Sequence, residues 1–132
     1  MNLTRRPRRL RTTAAMRALT AETALRPEQL IQVFFVRDGI SEPQPISSMP
    51  GQYQHTLESL IPAVRQAAEA GIKCIDLFGV PLDDDKDEVG SAAWADNGIL
   101  NRAIAACRAE FGDEIVIMAD TCLDEFTSHG HC

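Results

Sequence analysis

Cys122, Asp124 and Cys132 carry the side chains of metal ligands, spaced C-x-D-x7-C within DTCLDEFTSHGHC. Two thiolates and a carboxylate with a fourth position open form the donor set of a catalytic zinc ion. His129 and His131 lie close by and could also ligate. Asp120, two residues before the first cysteine, could orient a ligand, hold an ammonium group or move a proton. The spacing by itself is weakly specific. A loop in which Cys122 packs and Asp124 caps a turn has the same pattern, and so does a Cys122–Cys132 redox pair.

These residues need a scaffold, and the preceding sequence reads as one. Leu30–Val36 (LIQVFFV) is a β-rich run without polar alternation, as in a strand buried on both faces. Residues 38–51, with three Pro and two Gly, read as loop. Apolar residues at helical spacing predict a helix over Leu57–Ala70, with Thr56 as N-cap and Gly71 as its stop. Pro62 inside that window predicts a kink or a later start. Ile72–Phe78 reads as a second strand, residues 79–98 as a long acidic loop, Ile99–Phe111 as a second helix and Glu114–Ala119 as a third strand. Alternating strands and helices imply a parallel α/β sheet, whose ligands sit beyond the carboxyl ends of the strands. Three features fall there: Asp38, the acidic loop, and Asp120 with its Cys/His cluster.

The chain has 132 residues, 45% of them hydrophobic and 24% charged, which suits one globular domain and excludes global disorder. No apolar run approaches the roughly 20 residues of a membrane span. No apolar segment follows the basic N-terminus as in a signal peptide, so the expected location is cytoplasmic. Residues 1–26 hold seven Arg against Glu22, a net of +6, whereas residues 27–132 carry −12. A basic arm on an acidic body suits nucleic acid, a membrane surface, or packing on an acidic surface of its own or a neighbouring subunit. The arm has no aromatic residue to stack bases, and the body repels phosphate, so packing is the expectation, with no nucleic acid or membrane partner.

Other candidates have plain structural readings. Cys74 and Cys107 sit in apolar segments and read as core thiols. His55 reads as polar surface, the acidic run 83–88 as a solvated, mobile loop rather than a cation site, and Trp94 as packing against that loop. Ser128 and His131 could line a pocket, or residues 127–130 could be a lid hinge. Lys73 lies at the start of the second strand and Lys86 in the acidic loop, where a solvated charge is expected.

Several stretches, in order, resemble the N-terminal part of the porphobilinogen synthase (5-aminolevulinate dehydratase) family. They are RPRRLR at 6–11, MRAL at 16–19, FFV at 34–36, MPG at 49–51, EAGIKCIDLFGVP at 69–81, KDEVGSAAW at 86–94 and DTCLDEFTSHGHC at 120–132. The resemblance implies an arm over residues 1–28 that embraces a neighbouring subunit, with Arg6, Arg8, Arg9 and Arg11 at the interface of a homo-oligomer, an octamer. It implies that residues 29–132 form the first three β/α units of a TIM (β/α)8 barrel, incomplete in this chain. The implied reaction condenses two 5-aminolevulinate molecules to porphobilinogen with loss of two waters, through Schiff bases on two lysines, with a metal ion as Lewis acid in the zinc-dependent branch.

Cys122 and Cys132 match the first and third zinc cysteines of that branch. Asp124 stands where the branch has Cys; the metal-independent or magnesium-using branch has Ala, Asp and Asp. The implied site is a hybrid that takes zinc, held by a harder donor set, with magnesium as the alternative. Asp120 matches the Asp that faces the substrate pocket. The family's chain is well over twice as long, and neither Lys73 nor Lys86 matches a Schiff-base lysine. These 132 residues are therefore expected to be a part of the enzyme, inactive alone. The alternative is a short non-catalytic paralogue that binds metal or assembles with full-length subunits. Three strands cannot close a barrel of eight, so the first and third are expected as open apolar edges.

Overall fold

The helix α2 (Leu57–Glu69) begins where its capping residues dictate. Thr56 Oγ1 accepts the Ser59 N–H at 3.0 Å, and Ser59 Oγ accepts the Thr56 N–H at 3.0 Å. This reciprocal box satisfies donors that the first turn leaves open. Gly71, at φ 95°, takes the left-handed conformation that ends the helix. Pro62 neither delays nor divides it. The N–H that proline lacks would have met Glu58, an exposed residue of the first turn.

The structure is a computed structural model that describes residues 4–5 and 7–131. The expectations for Arg6 and Cys132 lie outside the described residues. The strands β1 (Ile31–Arg37), β2 (Gln44–Pro45), β3 (Tyr53–His55), β4 (Cys74–Val80) and β5 (Val116–Ala119) form one sheet in the order β2-β3-β1-β4-β5. All neighbours are parallel except β2 and β3, so the fold is α/β with a mixed sheet. β1 and β4 pair from Ile31↔Cys74 to Arg37↔Val80.

One expected edge is corrected. β1 is not open, because β3 pairs with its far side through Phe35↔Gln54 and Val36↔His55. The segment read as loop over 38–51 also contributes β2. β5 does stand last among the described strands, with Val116 60% and Met118 42% exposed.

Helices α2 and α3 (Ile99–Phe111) cover one face of the sheet. Phe34, Val36, Ile75 and Leu77 meet Leu60 and Val64 of α2 and Leu100, Ala103, Cys107 and Phe111 of α3. Complete burial of Leu60, Val64 and Leu77 contributes roughly 1.5–3 kcal/mol each. Side chains alternate along a strand, so the opposite face carries the rows Ile31–Cys74–Val116, Val33–Asp76–Met118 and Phe35–Phe78. In the middle row Asp76 Oδ1 is buried without a hydrogen-bond partner.

Every described residue from Thr4 to Ile31 is exposed except half-buried Met16. Arg8, Arg9 and Arg11 therefore do not pack on this chain's own acidic body. The arm folds locally: a 3-10 turn over Arg9–Arg11 meets α1 (Ala14–Leu19), and Arg17 Nη1 donates to the Arg11 carbonyl at 3.2 Å.

Three further expectations are corrected. Trp94 is 59% exposed rather than buried against the acidic loop. Cys107 is a fully buried core thiol as expected, but Cys74 lies on the uncovered face and is half-buried. His55 is not plain surface. It is half-buried at the end of β3, edge-on to Phe34 at 5.9 Å, with Nδ1 3.3 Å from Ser59 Oγ.

Candidate functional site

The main chain continues the sheet's ladder past the strands: Asp38 N–H donates to Val80 O and Asp120 N–H to Leu77 O, both at 3.0 Å. Three carboxyl ends are thereby held side by side. The Asp38 carboxylate is engaged by the Arg102 guanidinium of α3, so this candidate serves the scaffold.

The acidic loop after β4 is solvated as expected, with Asp83, Asp84, Asp85 and Glu88 exposed, and it carries hydrogen bonds of its own. Lys86 Nζ pairs with Asp83 at 3.0 Å, and residues 83–85 form a 3-10 turn. The Asp87 carboxylate accepts Val89 N–H at 3.0 Å, Ser91 N–H at 2.9 Å and the Ser91 hydroxyl. The bonds from Ser91 hold its carboxyl below the usual carboxylate range. Gly90 sits at φ 71°, and a Cβ there would lie 3.3 Å from Thr127 Cγ2, so the chain needs glycine where the two loops meet.

The loop after β5 carries the sequence-predicted ligands. Asp120 is half-buried, and its Oδ1 accepts the Cys122 N–H at 3.3 Å, closing an Asx-type turn. Phe126 and Thr127 N–H both donate to Leu123 O, at 2.9 and 3.0 Å, which winds residues 123–127 into a single turn. Phe126, 2% exposed, anchors that turn in the core. A Cβ on Gly79 would come within 3.1 Å of its ring and 2.8 Å of Leu100 Cβ, so β4 is bare there to admit it.

Cys122 is half-buried on this turn and Asp124 is exposed. Asp87 O accepts the Ser128 N–H at 2.8 Å, and His129 Nε2 donates to Glu88 O at 3.1 Å, tying the two loops together. The exposed rings of His129 and His131 stack at 6.0 Å. Asp83, Lys86, Asp124, Thr127, Ser128 and His129 line an open cleft of about 420 Å³ between the loops. Among the described residues, no three His, Cys, Asp or Glu side chains converge closely enough to share a metal ion. Cys122 and Asp124 stand on one turn; the third candidate, Cys132, is not among the described residues. The donor types, two thiols and an exposed carboxylate, suit zinc better than magnesium, which prefers oxygen ligands.

The roles that three residues of this site take were not in the sequence reading. Asp87 and Thr127 act through contacts some 40 residues apart in the chain, which no local pattern reveals. Glu125 is half-buried, and its carboxyl is pushed above the usual range by burial and by the charges of Asp124 and Asp120, with Lys86 opposing. The clustering of acids at 120, 124 and 125 was the available signal. Neither lysine reaches a strand's carboxyl end as an open amine: Lys73 Nζ lies 3.5 Å from Ala68 O, and Lys86 is paired.

The sequence profile of the delta-aminolevulinic acid dehydratase family matches residues 4–132. A delta-aminolevulinic acid dehydratase of Mycobacterium tuberculosis is 57% identical over 127 residues, covering 96% of this chain and 39% of that protein. One of Streptomyces coelicolor is 55% identical over 96% of this chain and 38% of its own length. The crystal structure of delta-aminolevulinic acid dehydratase (porphobilinogen synthase) from Toxoplasma gondii, in complex with the reaction product porphobilinogen, superposes with a TM-score of 0.87. It is 36% identical, over 96% of this chain and 35% of that one. This chain thus spans about two fifths of the length of the curated relatives it matches. The chain belongs to the delta-aminolevulinic acid dehydratase family.

Proposed function

We propose that these residues form the arm and the first three β/α units of a TIM-barrel porphobilinogen synthase, which condenses two 5-aminolevulinate molecules to porphobilinogen with loss of two waters. The observation that carries this reading is the 57% identity across 96% of the chain, arm and ligand loop included. Residues 1–28 are the oligomerisation arm, with Arg6, Arg8, Arg9 and Arg11 meeting a neighbouring copy in a cytoplasmic homo-octamer. Residues 29–132 are the barrel portion.

Cys122, Asp124 and Cys132 would hold zinc, which supplies Lewis acidity toward a substrate carbonyl when bound. This chain's own contribution is positional. Asp120 faces the substrate at the end of β5, where its carboxylate can hold the substrate ammonium group while its Oδ1 keeps the Cys122 turn closed. The two Schiff bases fall to lysines outside these residues, because Lys73 and Lys86 are engaged elsewhere. The 132 residues alone are therefore inactive.

The test is the complete polypeptide encoded by the gene, assayed for porphobilinogen. Borohydride added with 5-aminolevulinate should trap substrate on a lysine other than Lys73 or Lys86. Chelation or Cys122→Ala should abolish activity. Trapping on no lysine at all, with no product formed, would favour a non-catalytic paralogue that binds metal or assembles with longer subunits. Full activity after chelation would refute the zinc assignment alone.

A further inference from the structure

We propose that Asp76 anchors a cation delivered from outside these residues, an Arg or Lys of the polypeptide that closes over the uncovered face of the sheet; this rests on the barrel reading above. The surroundings of Asp76 on that face are apolar. Val33 and Met118 flank it in its own row, and Cys74 and Phe78 stand before and after it on β4. Asp76 Oδ1 is already buried, yet no donor meets it among the described residues. Ile31 at 52%, Val116 at 60% and Met118 at 42% exposure mark a face that this chain does not cover itself. A carboxylate sealed under apolar side chains is tolerated when a cation meets it, because neutral donors leave its charge uncompensated.

The described residues do not supply that cation. Each basic side chain of residues 27–132 is committed elsewhere. Arg37 shares the face, but its Nη1 donates to Gln54 Oε1 at 2.9 Å. Arg65 pairs with Glu110, Lys86 with Asp83, Arg102 with Asp38 and Arg108 with Asp113. Lys73 Nζ is directed to Ala68 O at 3.5 Å. The described arm residues are exposed and do not reach the sheet. The curated relatives, in contrast, hold about three fifths of their length outside the stretch this chain matches. β5 ends the described sheet beside Met118, so a further strand can join there and bring its side chains over Asp76. Asp120 follows Met118 by two residues, and its N–H still bonds to Leu77 O, so the pair lies one row below it.

The test is a crystal structure of the complete polypeptide encoded by the gene, followed by a double-mutant cycle on the pair it shows. A Lys or Arg nitrogen from outside residues 1–132 should lie within about 4 Å of an Asp76 carboxylate oxygen. Asp76→Leu alone should lower the thermal denaturation midpoint by roughly 5–10 °C, since it strands a buried cation. Replacing the partner by Met in the same protein should restore most of that loss. The wild-type structure decides the matter if the leucine variant fails to fold. Asp76 met by water or neutral donors under a closed barrel, an arm Arg of a second copy in the cation's place, or additive losses in the cycle would overturn the pair and leave the barrel reading intact. A complete polypeptide in which nothing covers this face would overturn the barrel reading, and the pair with it.

Discussion

Arg102 of α3 grips the Asp38 carboxylate just beyond β1, joining the last helix to the first strand. Both side chains are partly exposed, at 39% and 25%, so water screens the pair. Arg102→Met should lower stability by about 1 kcal/mol. Urea unfolding checks this. A loss several times larger would mean that the buried Arg102 Nε also has a partner elsewhere in the complete protein.

Gly79→Ala should be costlier. The new methyl would meet Leu100 Cβ at 2.8 Å and the Phe126 ring at 3.1 Å, and neither can recede without disturbing the core. Overpacking of this kind costs about 1–3 kcal/mol. Because Phe126 anchors the turn that carries Cys122 and Asp124, the zinc affinity proposed for that turn should fall together with thermal stability. A variant as stable as wild type would show that this contact is slack.

Cys107 is inside the core, and burial pushes its thiol up to about 11. At pH 8 its thiolate fraction is then about 0.1%. Iodoacetamide should leave Cys107 unmodified in the native protein and label it in denaturant, as read by peptide mass spectrometry. Labelling at native rates similar to an exposed thiol would contradict the burial.

Burial lowers the pKa of His55 below its ordinary 6.5, so the folded state favours the neutral ring. The sign follows from linkage. The contribution is full above 6.5, where both states are neutral. It falls as pH drops from there toward the folded value, because the unfolded chain takes the proton first. His55→Gln should flatten the dependence of the denaturation midpoint between about pH 7.5 and 5.5. An unchanged slope would assign the effect to other groups.

The two long helices were legible because each carries its boundary in its own sequence. α3 runs over Ile99–Phe111 as read, and α2 ends one residue short of the expected Ala70. The strands β4 and β5 start two residues later than the apolar runs suggest, since register is set by partners rather than by hydrophobicity. β2 and β3, of two and three residues, are too short to carry any period. Trp94 was misplaced because an aromatic in a loop looks like packing material, whereas Phe126 fills that role from the far end of the chain. The candidate donor types at 122 and 124 stand in the letters themselves. The Asp87–Thr127 link that supports them does not.

The sheet order also sets a gradient of tethering. β1 and β4 are joined over seven residue pairs and have neighbours on both sides, so their amides should exchange with deuterium only on large-scale opening. β5 holds to β4 by four pairs and ends the described sheet, so it should exchange sooner. The ligand loop leaves from that weaker strand, yet Phe126 and the Asp87–Ser128 bond fasten it to β4 and the loop behind it. Its protection should therefore rise and fall with β4 rather than with the strand that leads into it. Fraying of β5 can occur without releasing the loop that follows it.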